Sequence, residues 1–75
     1  MKNMDDFKIR SYGRMELAIL YSPYISPLAA YKKLSRWIDR YPGLRKRLER
    51  TGLTKRTRQY TPHQVKMIVD ALGEP

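Results

Sequence analysis

The sequence predicts a mainly α-helical domain: three to four helices in a helix-turn-helix core, with a minimal two-stranded wing as an optional addition. Three observations lead to this prediction. Two stretches carry the signals that start and end a helix. The first of these stretches follows a short turn, Ser22–Ile25. A later basic segment has the alternating side-chain pattern of a strand. Seventy-five residues suffice for one domain with a modest core.

The chain is expected to form this single domain over residues 1–75, in three parts. Residues 1–6 are polar and are expected to fray. Residues 7–60 should hold the helix-turn-helix and the wing, and residues 61–75 should form a C-terminal packing helix.

The N-terminal part is predicted to hold one strand and one helix. Phe7–Arg10 alternates apolar and basic residues, which is typical of a strand, and so short a strand needs a partner later in the chain. Tyr12-Gly13 predicts a turn, and Arg14–Tyr21 predicts the first helix. The inward face of this helix is expected to hold Met15, Ala18, Ile19 and Leu20.

The stretch Ser26–Tyr41 predicts the central helix. Ser26 can cap it, and Pro27 suits the first helical position, where its missing N–H costs nothing. Pro42-Gly43 ends it. The apolar stripe at helical spacing consists of Ala30, Leu34, Trp37, Ile38 and Tyr41. Because Trp37 lies on that stripe, we expect it in the core rather than as a platform for a nucleobase.

The segment between the central helix and the last one is predicted to be a short helix followed by a strand. Gly43–Arg50 carries a helical apolar pair, Leu44 and Leu48, and Gly52 stands where a left-handed C-cap is expected. Thr54–Tyr60 alternates, which predicts a strand pairing between Thr57–Tyr60 and Phe7–Arg10. A disordered basic loop is the alternative.

The last helix has the most complete sequence signals. Thr61, Pro62 and Gln64 combine an N-cap, a proline at the first position and a capping box, and Gly73 supplies the C-cap. The apolar face consists of Val65, Ile68, Val69 and Leu72. His63 is expected to be a solvated side chain in the first turn.

The net charge of +9 is concentrated in one segment. Residues 32–58 hold eleven basic residues against Asp39 and Glu49, whereas the two flanks hold five basic and five acidic residues and cancel. A positive field centred on one segment indicates a phosphate-binding surface. The alternative is that these charges only keep a small protein in solution.

The sequence predicts neither a catalytic site nor a metal site. With one His and no Cys, the chain lacks the parts of a nucleophilic site and of a zinc site, and its isolated glycines form no phosphate loop. No apolar run approaches the roughly 20 residues of a membrane span. The N-terminus carries no signal-peptide pattern. We therefore expect a soluble cytoplasmic protein that is not an enzyme, binds no cofactor and does not contact a membrane.

Two families share motifs with this chain. Three motifs follow one another along the chain: Arg14-Met15-Glu16-Leu17-Ala18, then Ser26-Pro27 after a short turn, and finally Arg58-Gln59-Tyr60-Thr61-Pro62-His63-Gln64-Val65. This order resembles that of winged helix-turn-helix proteins of the MerR and excisionase type. The chain is more closely similar to a family of short bacterial proteins described as a domain of unknown function. The pattern of that family, Y-G-[RK]-x-E-L-A, L-x-x-W-I, [FY]-T-P-x-Q-V and L-G-x-P, covers nearly all of the sequence but implies no activity.

The resemblance to winged helix-turn-helix proteins implies a recognition helix over Ser26–Arg36 and a set of DNA-contacting cations. These are Lys32, Lys33 and Arg36 on the helix and Lys55, Arg56 and Arg58 on the wing. Arg14 would contact a backbone phosphate, and Arg40 continues the basic face of the central helix. Two departures matter. The extra helix Gly43–Arg50 separates the recognition helix from the wing, and apolar Leu28, Ala29 and Ala30 occupy the turn where side chains normally read bases.

From the charge and the helix order we expect a small DNA-binding module that holds duplex DNA largely through phosphate contacts. A transcriptional regulator or a mobile-element accessory factor would have these properties. An RNA-binding module shares the charge argument, and a protein-interaction adaptor would use the basic face on an acidic partner. A homodimer or a stable protein partner is left open.

Overall fold

The computed structural model describes residues 7–75, so the prediction of fraying for residues 1–6 lies outside the described residues. Over this range the order of elements is β1 (Tyr12–Gly13), α1 (Arg14–Tyr21), α2 (Pro27–Arg40), α3 (Leu44–Arg50), β2 (Gln59–Tyr60) and α4 (Pro62–Leu72). The predicted fold class, a mainly helical domain with a minimal two-stranded sheet, is confirmed. α1 packs mainly on α2, and α3 contacts both α2 and α4.

The central helix α2 begins and ends as the sequence predicts. The hydroxyl oxygen of Ser26 accepts a hydrogen bond of 3.2 Å from the backbone N–H of Ala29, and Pro27 is the first helical residue. The buried members of the predicted stripe are Ala30, Leu34 and Ile38. Trp37 is partly buried and packs against the core, whereas Tyr41 is exposed because it lies just beyond the helix end.

The inward face of α1 differs from the prediction. Met15, Ile19 and Leu20 are exposed, and the buried residues are Leu17 and Ala18. The inward stripe is completed by Arg14 and Tyr21, both partly buried, at the spacing i, i+3, i+4, i+7. The prediction was wrong because both sides of this short helix are apolar, and packing on α2 selects the side that ends in Arg14 and Tyr21.

α3 ends in a Schellman motif. The N–H of Leu53 donates to the carbonyl oxygen of Leu48 at 3.2 Å, and the N–H of Gly52 donates to that of Glu49 at 3.0 Å. Gly52 has φ +106°, the left-handed conformation that its position predicted. Leu48 and Leu53 are both buried, so the chain folds back into the core after the helix.

The start of α4 is joined to the end of α3 through the buried side chain of Gln64. Its Oε1 accepts from the N–H of Thr61 at 2.9 Å, and the Thr61 hydroxyl oxygen accepts from the N–H of Gln64 at 3.1 Å, which confirms the capping box. The Nε2 of Gln64 donates to Oγ1 of Thr51 at 2.8 Å, and the Thr51 hydroxyl donates to the carbonyl oxygen of Leu48 at 2.6 Å. One side chain therefore caps α4 and holds the C-terminus of α3.

The two-stranded sheet is antiparallel, with Tyr12 opposite Tyr60 and Gly13 opposite Gln59. Its first strand therefore lies after the predicted Phe7–Arg10, at the position predicted to be a turn. Of the predicted second strand, only the last two residues are paired.

The segment before β1 folds back on Tyr12, which explains why it is not a strand. The rings of Phe7 and Tyr12 stack with centroids 5.4 Å apart, and the Tyr12 hydroxyl donates to the carbonyl oxygen of Lys8 at 2.8 Å. The guanidinium carbon of Arg10 lies 3.8 Å from the centroid of the same ring. These contacts replace the extended backbone that the alternating sequence predicted.

Candidate nucleic-acid interface

The surface of α2 is divided into rows of residues four apart, and each row lies on one side of the helix. The rows are Ala30, Leu34 and Ile38; Tyr31, Ser35 and Asp39; Lys32, Arg36 and Arg40; and Lys33, Trp37 and Tyr41. The first row is buried, the second lines a cavity shared with α3, and the fourth lies beside the ends of α1 and α4. The third row, Lys32, Arg36 and Arg40, is exposed, and we call it the outer row.

The charges of the outer row are free of intramolecular ion pairs within residues 7–75. The only carboxylate on α2, that of Asp39, lies in the neighbouring row, where its Oδ1 accepts from Nε of Arg45 at 2.7 Å. Nη2 of Arg45 also donates to Oγ of Ser35 at 2.9 Å. α3 therefore pairs with the acidic residue of α2, and no carboxylate in residues 7–75 forms an ion pair with the outer row.

Lys33 lies to one side of the outer row. It is partly buried, and its Nζ lies 5.3 Å from the ring centroid of Trp37. Trp37 in turn meets the ring of Tyr21 edge-on, with centroids 6.1 Å apart. Lys33 thus has an aromatic partner within the protein, which the three residues of the outer row do not have in the described part of the chain.

The predicted wing cations Lys55 and Arg56 lie at the tip of a tight turn rather than on a strand. The N–H of Thr57 donates to the carbonyl oxygen of Thr54 at 3.1 Å, which closes a β-turn with Lys55 and Arg56 at its central positions. Two side-chain bonds lock this turn. The N–H of Thr54 donates to Oγ1 of Thr57 at 2.9 Å, and the N–H of Arg56 donates to Oγ1 of Thr54 at 3.2 Å. We call residues 54–58 the basic turn; Lys55, Arg56 and Arg58 are exposed.

The basic turn is anchored by Arg14, the first residue of α1. Nη1 of Arg14 donates to the carbonyl oxygens of Thr54 and Thr57, each at 3.0 Å. The backbone N–H of Arg14 donates to the carbonyl oxygen of Arg58 at 3.0 Å. Arg14 is a predicted phosphate contact, but this guanidinium is partly buried and engaged within the protein. No local sequence signal identifies such an anchor, because about forty residues separate it from its acceptors.

Two aromatic rings surround the Arg14 side chain. Its guanidinium carbon lies 5.6 Å from the ring centroids of both Tyr31 and Tyr60. Its Nε is buried and has no hydrogen-bond acceptor among the described residues. Burial raises the pKa of the Tyr60 hydroxyl, and this effect outweighs the lowering by the nearby Arg14 cation.

The basic turn flanks α2 on one side. A cavity of about 460 Å³ is lined by Tyr31, Ser35 and Asp39 of α2 and by Thr54 and Lys55 of the basic turn. Since the outer row is next to the row that lines this cavity, the structure brings the outer row and Lys55 to adjoining surfaces. Lys33 lies beyond the outer row, on the side away from the basic turn.

Residues 7–75 contain no group of three or more His, Asp or Glu side chains placed to hold a metal ion. None of the helices in that range is long and apolar enough to cross a membrane.

Comparison with known proteins identifies one family. The family model described as "Domain of unknown function (DUF4248)" matches residues 8–75. Neither the curated proteins nor the solved structures give a significant match. The predicted resemblance to an uncharacterised family is therefore confirmed, whereas the resemblance to MerR and excisionase proteins stays a prediction. The chain belongs to the DUF4248 family.

Proposed function

We propose that this protein binds duplex DNA through the outer row and the basic turn, largely by contacts to phosphates. The observation that supports this best is the outer row itself: three exposed cations on one side of a helix, without a carboxylate partner in the described structure. Cations arranged in this way gain affinity by releasing counterions from DNA.

The dimensions of α2 suit a DNA groove. An α-helix with its side chains is about 10–12 Å in diameter. The major groove of B-DNA is about 12 Å wide and admits an α-helix. The exposed side chain in the first turn, Leu28, offers no hydrogen bond to a base edge. Binding should therefore depend on phosphates more than on sequence.

The basic turn supplies a second contact whose backbone is already fixed. Its hydrogen bonds hold Lys55 and Arg56 at the tip before any ligand arrives. Because less backbone entropy is lost on binding, a preorganised turn contributes more to affinity than a flexible basic loop of the same charge.

Fluorescence anisotropy on a labelled duplex, titrated at several salt concentrations, tests this function. The logarithm of the binding constant should fall linearly with the logarithm of salt concentration, by about 0.9 for each phosphate contacted. Arg36→Ala should reduce the slope by about that amount. Lys66→Ala removes the same charge from α4, where Lys66 pairs with Asp70 at 3.1 Å, and should leave the slope unchanged.

Two results would contradict the proposal. One is binding that stays weak at low salt or does not respond to salt. The other is an equal change of the salt slope in Arg36→Ala and Lys66→Ala, which would show that binding depends only on the net charge of the protein. Competition with duplex RNA separates the nucleic acids, because displacement by RNA at lower concentration than by DNA would assign the surface to RNA.

A further inference from the structure

One continuous part of this strongly basic protein carries no charge. Residues 17–31 contain no Asp, Glu, Lys or Arg, although the net charge of the chain is +9. They form most of α1, the connection between α1 and α2, and the first turns of α2. Five large apolar side chains are nevertheless exposed here: Leu28 in the first turn of α2, and Ile19, Leu20, Tyr24 and Ile25 before it. We call the last four the uncharged edge.

The uncharged edge lies on the outer side of α1 and at its C-terminal end. Leu17 and Ala18 face the core, so Ile19 and Leu20 point away from α2. Tyr24 and Ile25 follow in the connection to α2, and Tyr24 is 95% exposed. A large aromatic side chain without burial in its own domain is the type of residue that anchors protein interfaces.

We propose that the uncharged edge is the contact surface between two copies of this chain. Two copies that approached through their outer rows or basic turns would bring cations together, and like charges repel. The uncharged edge offers an apolar surface on which that repulsion is smallest. A partner rich in acidic residues would instead be drawn to the cations, so the charge distribution favours a second copy here.

The area that a dimer contact needs can be compared with the total surface of the chain. A stable protein interface buries roughly 800 Å² on each partner. The accessible surface of the chain is 5312 Å² in total. An interface of roughly 800 Å² would cover about 15% of it. Four of the fifteen residues in the stretch 17–31 are buried, so an interface of this size centred on the uncharged edge also draws on exposed residues around it.

Self-association through this edge and DNA binding should respond to salt in opposite directions. Salt screens the repulsion between two basic copies, so the dimer should become tighter as ionic strength rises. Contacts to DNA phosphates weaken under the same change. The opposite signs allow the two interactions to be measured independently.

Sedimentation equilibrium without DNA tests the proposal. The wild-type chain should form dimers whose dissociation constant falls between about 50 mM and about 500 mM NaCl. Tyr24→Lys and Leu20→Lys, each adding a charge to the edge, should weaken the dimer by at least about tenfold. Tyr41→Lys, at an exposed tyrosine outside the edge, should dimerise like wild type. Circular dichroism establishes that each variant is folded, and Tyr24 is so exposed that its replacement leaves the core intact.

The proposal is overturned if the wild-type chain is monomeric at both salt concentrations across the accessible protein range. It is equally overturned if Tyr24→Lys dimerises as tightly as wild type. Because no DNA is present, either result leaves the proposed DNA-binding function to be judged by its own titration.

Discussion

Nη1 of Arg14 donates a hydrogen bond of 3.0 Å to the carbonyl oxygen of Thr57, 43 residues further along the chain. The same nitrogen donates to the carbonyl oxygen of Thr54 at 3.0 Å. Both bonds come from a charged group, and both acceptors lie in the basic turn. The first residue of α1 therefore fixes the position at which the turn presents Lys55 and Arg56.

Replacing Arg14 with Met should destabilise the protein. Met keeps an apolar stem beside Tyr31 and Tyr60 but removes the donors for two carbonyl oxygens. Because hydrogen bonds from charged groups contribute about 1.5–3 kcal/mol each, we expect the free energy of unfolding to fall by about 2 kcal/mol or more. Urea denaturation followed by the fluorescence of Trp37, the single tryptophan, measures this.

Arg36→Met is the matched control for this variant. Arg36 is exposed on the outer row and makes no ion pair with a described residue, so its loss should change the free energy of unfolding by less than about 0.5 kcal/mol. Equal effects of the two variants would show that Arg14 does not anchor the basic turn.

Replacing Gln64 with Ala should cost more stability than breaking the N-cap alone. Thr61→Ala removes the cap acceptor, for a loss of about 1 kcal/mol. Gln64→Ala removes the bonds to Thr61 and Thr51 and leaves a cavity at a buried position, so we expect a loss of about 2 kcal/mol or more. Chemical denaturation of both variants provides the comparison.

Gln59→Ala serves as the control for Gln64→Ala. The side chain of Gln59 is exposed on β2, where the backbone makes the sheet contacts, and its truncation should be nearly neutral. A loss for Gln64→Ala no larger than that for Thr61→Ala would mean that the link to Thr51 does not contribute.

Stability should fall at high pH because of Tyr21. Its hydroxyl donates to the carbonyl oxygen of Gly73, and burial, together with the charge of Glu74, raises its pKa to about 12. In the unfolded chain a tyrosine has a pKa of about 10. The unfolded state therefore loses this proton first, so the stabilisation is fully present below about pH 10 and is lost as the pH rises towards 12.

Unfolding free energies at pH 9 and pH 11 test this linkage. Tyr21→Phe should be less stable than wild type at the lower pH, because it loses the hydrogen bond to Gly73. The difference in unfolding free energy between Tyr21→Phe and wild type should be smaller at pH 11, because the wild type loses part of the stabilisation by Tyr21 there. Tyr24→Phe, at an exposed tyrosine, should follow the wild-type curve throughout. A constant difference between Tyr21→Phe and wild type would contradict the raised pKa of Tyr21.

The helices of this protein follow from local chemistry. Ser26 and Thr61 accept bonds from N–H groups three residues ahead, and Gly52 takes the left-handed conformation that ends α3. Such interactions act within one helical turn, so the order of residues is sufficient to predict them. The order of residues also shows directly that the positive charge is concentrated in residues 32–58.

Two failures of prediction have different causes. Phe7–Arg10 alternates like a strand, yet its aromatic and basic side chains fold onto Tyr12, which leaves Tyr12 to pair with Tyr60. α1 is apolar on two sides, and only packing against α2 decides which side is buried. In the first case, side-chain contacts between near neighbours outweigh the alternating strand pattern. In the second case, the packing of one helix on another decides which side is buried.

The sequence by itself was sufficient to predict a mainly helical fold of three to four helices, the caps at Ser26, Gly52, Thr61 and Gly73, and the position of the positive charge along the chain. Tertiary structure alone decided that α3 pairs with Asp39, that Arg14 holds the basic turn, and that the turn shares a cavity with the row of α2 next to the outer row. The physical reason is range. Caps and periodic patterns act between neighbours, whereas the direction in which a cation points depends on which distant groups the fold brings within hydrogen-bonding distance of it.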